Sequence, residues 1–167
     1  SSGERTRRML VWRLCKARRA ASVLSGKGSQ LAGARWAPVG VPMVYCSASV
    51  SLATLELLVH LDTDELPAEP YVAIELHVPD GLVEVVVDVD LPRDWRAAPT
   101  VLSDPQGPKD FGEAWYRSKR SLAISVPSAV IPHERNVILN PDHDAIEQVA
   151  VTRTLAYHFD PRLFLGP

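Results

Sequence analysis

A single α+β domain on a mixed or antiparallel sheet is predicted by three observations. Roughly seven β-type runs stand against about three helical ones, and the helices do not alternate regularly with the strands. No strand leads into a Gly-x-Gly-x-x-Gly turn, and the glycines of GSQLAG at 28–33 lack a strand–loop–helix frame, so a doubly wound dinucleotide fold fits the sequence poorly. At 167 residues, 46% of them hydrophobic and 23% charged, the chain is an ordinary globular domain whose core needs no metal or disulfide staple. The domain is expected over residues 9–164, with residues 1–8 set aside as an expression scar or frayed leader.

Met9–Cys15 has the β-formers of a strand, and Lys16–Ala32 reads as a short helix followed by a loop. The basic residues there, Arg13, Lys16, Arg18, Arg19 and Lys27, are expected on a solvated face. Ala34–Trp36 and Pro42–Cys46 are expected as strands flanking the APVGVP turn. Ser49–His60 carries apolar residues round most of a helical wheel and is expected to be largely buried. Asp62–Pro70 is an acidic loop. Tyr71–Val78 alternates as a half-exposed strand, and Leu82–Val89 is a second strand after a Pro-Asp-Gly turn. Leu91–Gly107, with Pro92, Pro99 and Pro105, is irregular apart from one helical turn near Asp94–Ala97. Lys109–Ser118 is a helix with Phe111 and Trp115 on one face. Leu122–Val126, Asn136–Leu139 and Val151–Phe159 are strands, with a helical turn at Asp144–Val149.

Several function classes drop out. The formal charge of −2 gives no global pull toward nucleic acid, and no basic–aromatic face accompanies Trp12, Trp36, Trp95 and Trp115, which are expected in the core. The longest apolar run is broken by Glu84 and Asp88, so no membrane span is expected. Two separated cysteines, Cys15 and Cys46, suit a reduced cytoplasmic protein. The histidines lack metal-ligand spacing and are expected at the surface, so no metal is expected.

The remaining polar residues each carry two readings. Glu56, in an apolar helix beside Ser49 and His60, is either an i,i+4 partner of His60 or a carboxylate facing a ligand, because a buried unpaired charge is costly. Arg35, among small residues, is either an edge-strand surface arginine or a bidentate anion clamp. Tyr45 is core, or a wall for a flat heterocycle. Ser128 is a turn former, or a ligand-binding hydroxyl.

GARW at 33–36, VYCS at 44–47, SLATLELLVH at 51–60, VPSAVIP at 126–132 and NVILNP at 136–141 stand in an order that resembles the RES-domain family over nearly the whole of 9–164. The resemblance implies a fold related to ADP-ribosyltransferases and a toxin of a bacterial toxin–antitoxin pair that consumes NAD. It places the family's arginine on Arg35, tyrosine on Tyr45, glutamate on Glu56 and serine on Ser128, with Ser121 and Ser125 as nearby alternatives. Trp36, His60 and Asn140, of the Asn-Pro closing element, complete the implied substrate-binding set. One departure is visible: the family commonly reads Gly-Gly-Arg-Trp-Asn, where this chain has Ala34 and Ala37. The implied reaction cleaves the nicotinamide–ribose bond of NAD, with Glu56 and Arg35 central. The acceptor is water, inorganic phosphate or a protein side chain. The implied partner is a helix-turn-helix antitoxin that occludes the site. A non-catalytic nucleotide- or partner-binding module is the rival reading.

Overall fold

The order in which strands pair decides what surrounds the polar residues. The structure, a computed structural model, describes residues 7–61, 65–100, 102 and 104–164. Among these, seven strands form one sheet: β1 (Arg8–Lys16), β2 (Val44–Ser47), β3 (Tyr71–Pro79), β4 (Val83–Val85), β5 (Ala123–Pro127), β6 (Arg135–Leu139) and β7 (Ala150–Tyr157). Their order is β4-β5-β6-β2-β1-β3-β7. The β4–β5 pair is parallel and the other five are antiparallel. Three α-helices accompany the sheet: α1 (Lys27–Ala32), α2 (Val50–Leu58) and α3 (Gln106–Ser118). The expected single α+β domain with a mixed sheet is therefore present.

Apolar alternation along the strands builds cores on the two faces of the sheet. Val11, Ile74, Leu76, Val78 and Leu139 belong to one buried cluster. Trp12, Leu14, Ala53 and Ala73 form a smaller one beneath α2. A third gathers Trp36, Met43, Trp115, Ile124 and Ile138 where α3 meets the sheet. Gly112 permits that approach, since a Cβ there would lie 1.7 Å from the Trp36 carbonyl oxygen.

Several expectations are corrected. Ala34–Trp36 is no strand: Ala34 and Ala37 exchange backbone hydrogen bonds at 2.9 and 3.2 Å, closing a tight turn after Gly33, whose φ is +73°. Helix α2 is not largely buried, because one side rests on β1 while Leu55 and Val59 on the other remain 37% and 59% exposed. Strand β3 is not half-exposed, because β1 and β7 flank it and cores cover both faces. The run from Leu82 to Val89 pairs only over Val83–Val85 before turning at Asp88–Asp90. In Lys16–Ala32 the expected short helix is a 3₁₀ segment at Ala17–Ser22, and the stretch expected as loop carries α1. Arg8 already lies in β1, while residues 1–6 of the expected leader fall outside the described residues, as do 62–64 of the acidic loop.

Candidate active site

The site begins where the middle of the sheet meets α2. Ser49 caps that helix by accepting a hydrogen bond from the Leu52 N–H at 3.1 Å. The cap sets the helix phase, and Glu56 two turns on projects into a cleft of about 830 Å³. Its carboxylate is held from one side only. The Ser128 hydroxyl donates to Oε1 at 2.5 Å and the Asn136 amide to the same oxygen at 2.7 Å. Among the described residues Oε2 has no protein donor. Of the two readings of Glu56, the i,i+4 pairing with His60 is not formed, although His60 lines the same cleft.

Each neighbour of the carboxylate is fixed in turn. Ser128 follows β5, fully buried, and its oxygen accepts from the Val130 and Ile131 N–H groups, both at 3.1 Å. Its proton is left for Glu56. The two alternative serines are occupied elsewhere. Ser121 accepts from the Trp115 indole at 2.8 Å, and Ser125 accepts from Arg135 at 2.8 Å. Asn136 sits opposite Ser47 in the β2–β6 register, and the Ser47 hydroxyl donates to its Oδ1 at 2.8 Å.

Arg35 enters from the Gly33–Ala37 turn. Its Nη1 donates to the carbonyls of Trp95 at 2.9 Å and Ala97 at 2.8 Å, and its remaining N–H groups have no protein acceptor among the described residues. Partial burial lowers its pKa, with nearby Glu56 and then Tyr45 opposing the shift. Tyr45 turns its hydroxyl back into the fold, accepting from the Trp36 N–H at 3.2 Å and pointing to the Met43 sulfur at 3.9 Å. Burial holds its phenol above its ordinary pKa, so it stays neutral. What Tyr45 offers a ligand is ring surface. Trp36 is itself core, stacked with Trp95 at 6.4 Å and edge-on to Phe111 at 5.7 Å.

Two cations in the cleft carried no separate signal in the sequence. Arg13, expected on a solvated face, lines the cleft and donates to the Tyr45 carbonyl at 2.8 Å. Lys109 lines it from α3 and bonds the Ala34 carbonyl at 2.9 Å. Lys109 also lies 3.7 Å from the Asp104 carboxylate on the same cleft, whereas Arg13 and Arg35 are tethered to neutral carbonyls, which leaves their charge available to an anion. Ser47 and Asn136 were also missed, although both stand inside quoted motifs, the last residue of VYCS and the first of NVILNP.

Asn140 is not brought to the site. It is fully buried, donating to the Tyr116 carbonyl at 3.0 Å and accepting from the Asp142 N–H at 2.9 Å, which closes the turn after β6. His77, expected at the surface, is partly exposed but turns its Nε2 inward, buried 3.4 Å from Glu75. Both cysteines are free and buried. Among the described residues, no group of three or more His, Cys, Asp or Glu could hold a metal ion, and no helix is long and apolar enough to cross a membrane.

Fold and site together define a mixed-sheet α+β domain with a carboxylate and an arginine facing one cleft. The RES domain profile matches residues 10–160. Toxin Res of Photorhabdus laumondii is 36% identical over 158 residues, spanning 93% of this chain and 97% of that protein. The Prs ADP-ribosylating toxin of Sphingobium is 35% identical over 157 residues, spanning 91% and 94%. In structure the chain is similar to one in the M. tuberculosis MbcT–MbcA toxin–antitoxin complex. The TM-score is 0.72 at 18% identity, covering 95% of this chain and 88% of that one. The chain belongs to the RES family, and it is a toxin of that family.

Proposed function

We propose that the cleft binds NAD and cleaves its nicotinamide–ribose bond. The observation that carries this reading is the one-sided anchoring of Glu56, which leaves Oε2 without a donor among the described residues, in a cleft that Arg35 also lines. Breaking the C1′–N bond releases neutral nicotinamide and leaves an oxocarbenium-like ribose, as in glycoside hydrolysis. A fixed carboxylate beside C1′ stabilises the positive charge as it develops and can hold the ribose hydroxyls. Arg35, supported by Arg13 and Lys109, suits the diphosphate, whose charge matches their spare N–H groups. The Tyr45 ring gives nicotinamide a wall, and Ser128 holds the carboxylate. An acceptor, water or inorganic phosphate, then bonds to C1′, so NAD is consumed and no cofactor is regenerated.

A second reading has its own support: the Sphingobium relative is named an ADP-ribosylating toxin. In that case the acceptor is a protein side chain. Incubating the purified protein with NAD, with and without phosphate, and identifying the ribose-containing product by mass spectrometry tests both. Free ADP-ribose or its 1″-phosphate is expected. Nicotinamide release that requires an added protein would favour transfer, and no release at all would leave a non-catalytic binding module.

An enzyme that destroys NAD needs a neutralising partner in its own cell, and we expect a helix-turn-helix antitoxin that covers the cleft. The structural likeness to a chain from a toxin–antitoxin complex supports a protein partner. The measurement is co-purification with NAD turnover suppressed. A stable complex with an unchanged rate would overturn occlusion.

A further inference from the structure

We infer that Asn136, held by Ser47, is a positioning residue for the Glu56 carboxylate, an assignment that rests on reading the cleft as the site of NAD cleavage. The argument starts from the amide. Asn136 places one end 2.7 Å from Glu56 Oε1 and the other 2.8 Å from Ser47 Oγ. Only one orientation satisfies both contacts. Turned over, the amide would set its carbonyl oxygen against the carboxylate, two acceptors with no proton between them. The acceptor-only carboxylate selects this orientation, and the Ser47 hydroxyl, donating to Oδ1, holds the amide in place from behind.

The sheet gives this pair a fixed geometry. Ser47 and Asn136 are register partners on β2 and β6, and Ser47 is in turn opposite Trp12 on β1. Ser47 is only 4% exposed, and the strands around it are apolar. A buried serine–asparagine pair contributes little net stability over an apolar pair of the same shape, because each hydrogen bond merely replaces one with water. Strand pairing does not need it. The consequence for the carboxylate is directional: Ser128 from the loop after β5 and Asn136 from β6 approach the same oxygen, which blocks rotation about the terminal bond of Glu56. Oε2 is then preorganised toward the cleft. With Asn136 gone, Ser128 alone remains, and one hydrogen bond cannot prevent that rotation. Because such orientation matters where charge develops, the loss should fall on kcat more than on KM.

The test compares Asn136→Ala, Asn136→Asp and Ser47→Ala, together with Glu56→Gln alone and combined with Asn136→Ala. Two readouts are taken: growth arrest on induction and nicotinamide release from NAD, with thermal melts to confirm folding. Asn136→Ala is expected to lower kcat about 10–100-fold with KM changed by less than about threefold. Asn136→Asp keeps the volume but turns an acceptor toward Oε1, so it should lose at least as much, which separates the donor from packing. Ser47→Ala should lose less, in the same direction. In the Glu56→Gln background, Asn136→Ala should cost nothing more, because it acts through the carboxylate that is already gone. Wild-type kcat in Asn136→Ala or Asn136→Asp, or fully additive losses in the double variant, would overturn the assignment. A wild-type protein that arrests growth without releasing nicotinamide, alone or with added cell protein, removes the NAD reading instead. The same cycle, scored by growth arrest, then still decides the role of Asn136.

Discussion

The Ser128 hydroxyl lies 2.5 Å from Glu56 Oε1, across 72 residues of chain, and joins the loop after β5 to helix α2. Two backbone N–H groups supply its acceptor side, so one buried oxygen both closes a turn and anchors the carboxylate. Ser128→Ala therefore removes an acceptor from Val130 and Ile131 and a donor from Glu56. We expect a stability loss of about 1–3 kcal/mol together with reduced NAD turnover. Thermal denaturation and nicotinamide release, measured on the same preparation, check the two effects. Unchanged values in both would show that the hydrogen bonds carry neither.

Glu56→Ala should fold normally, because the side chain is held by polar contacts at the cleft and buries no core. Turnover should fall by about 10²–10³-fold or more, the scale seen when a preorganised charge-stabilising group is removed. A folded variant with near-normal NAD consumption would refute its assignment.

Arg35→Lys tests the clamp by shape at constant charge. The guanidinium bonds two carbonyls through one nitrogen and keeps other N–H groups for a ligand. A single ammonium lacks that planar fork. KM for NAD is expected to rise about tenfold or more, a loss of at least ~1.4 kcal/mol in binding. Steady-state kinetics against NAD concentration give the answer.

Gly112→Ala would drive a methyl group into the Trp36 carbonyl oxygen at 1.7 Å. Since that carbonyl belongs to the Arg35 turn, α3 must move away or the turn must deform. A destabilisation of about 3 kcal/mol or more is expected, with weaker NAD binding. Gly81→Ala, which meets nothing within 4 Å, is the control and should melt like the wild type.

Hydrogen bonds from Arg153, then Thr152, hold the Glu75 carboxyl at about 2, below its ordinary 4.5. A depressed carboxylate pKa stabilises the fold above the unfolded value, and that contribution is lost as pH falls through the folded one. The window therefore runs from about 4.5 down to about 2. Urea midpoints of wild type and Glu75→Gln should converge across that range, and parallel curves would contradict the linkage.

Much of the site was legible because it sits in short local patterns. Arg35, Tyr45, Glu56 and Ser128 were all named from motifs, and the structure places all four around the cleft or against its carboxylate. Asn140 was named from the same kind of evidence, yet its side chain serves a turn, since a motif records recurrence without recording which way an amide points. Arg13 was grouped with the basic residues that follow it, and only pairing of β1 with β2 turned it toward the Tyr45 carbonyl.

The sequence by itself determined the α+β class, most of the strands and the family, because alternation, turn residues and motif order are properties of neighbouring residues. Only the tertiary structure decided that Ser128 rather than Ser121 or Ser125 meets Glu56, that Asn136 and Ser47 stand behind it, and that α2 keeps one side open. Those facts depend on the register between β2 and β6 and on which strand lies beside which. Strand order is fixed by burial summed over the whole sheet, a quantity that no local stretch of chain contains.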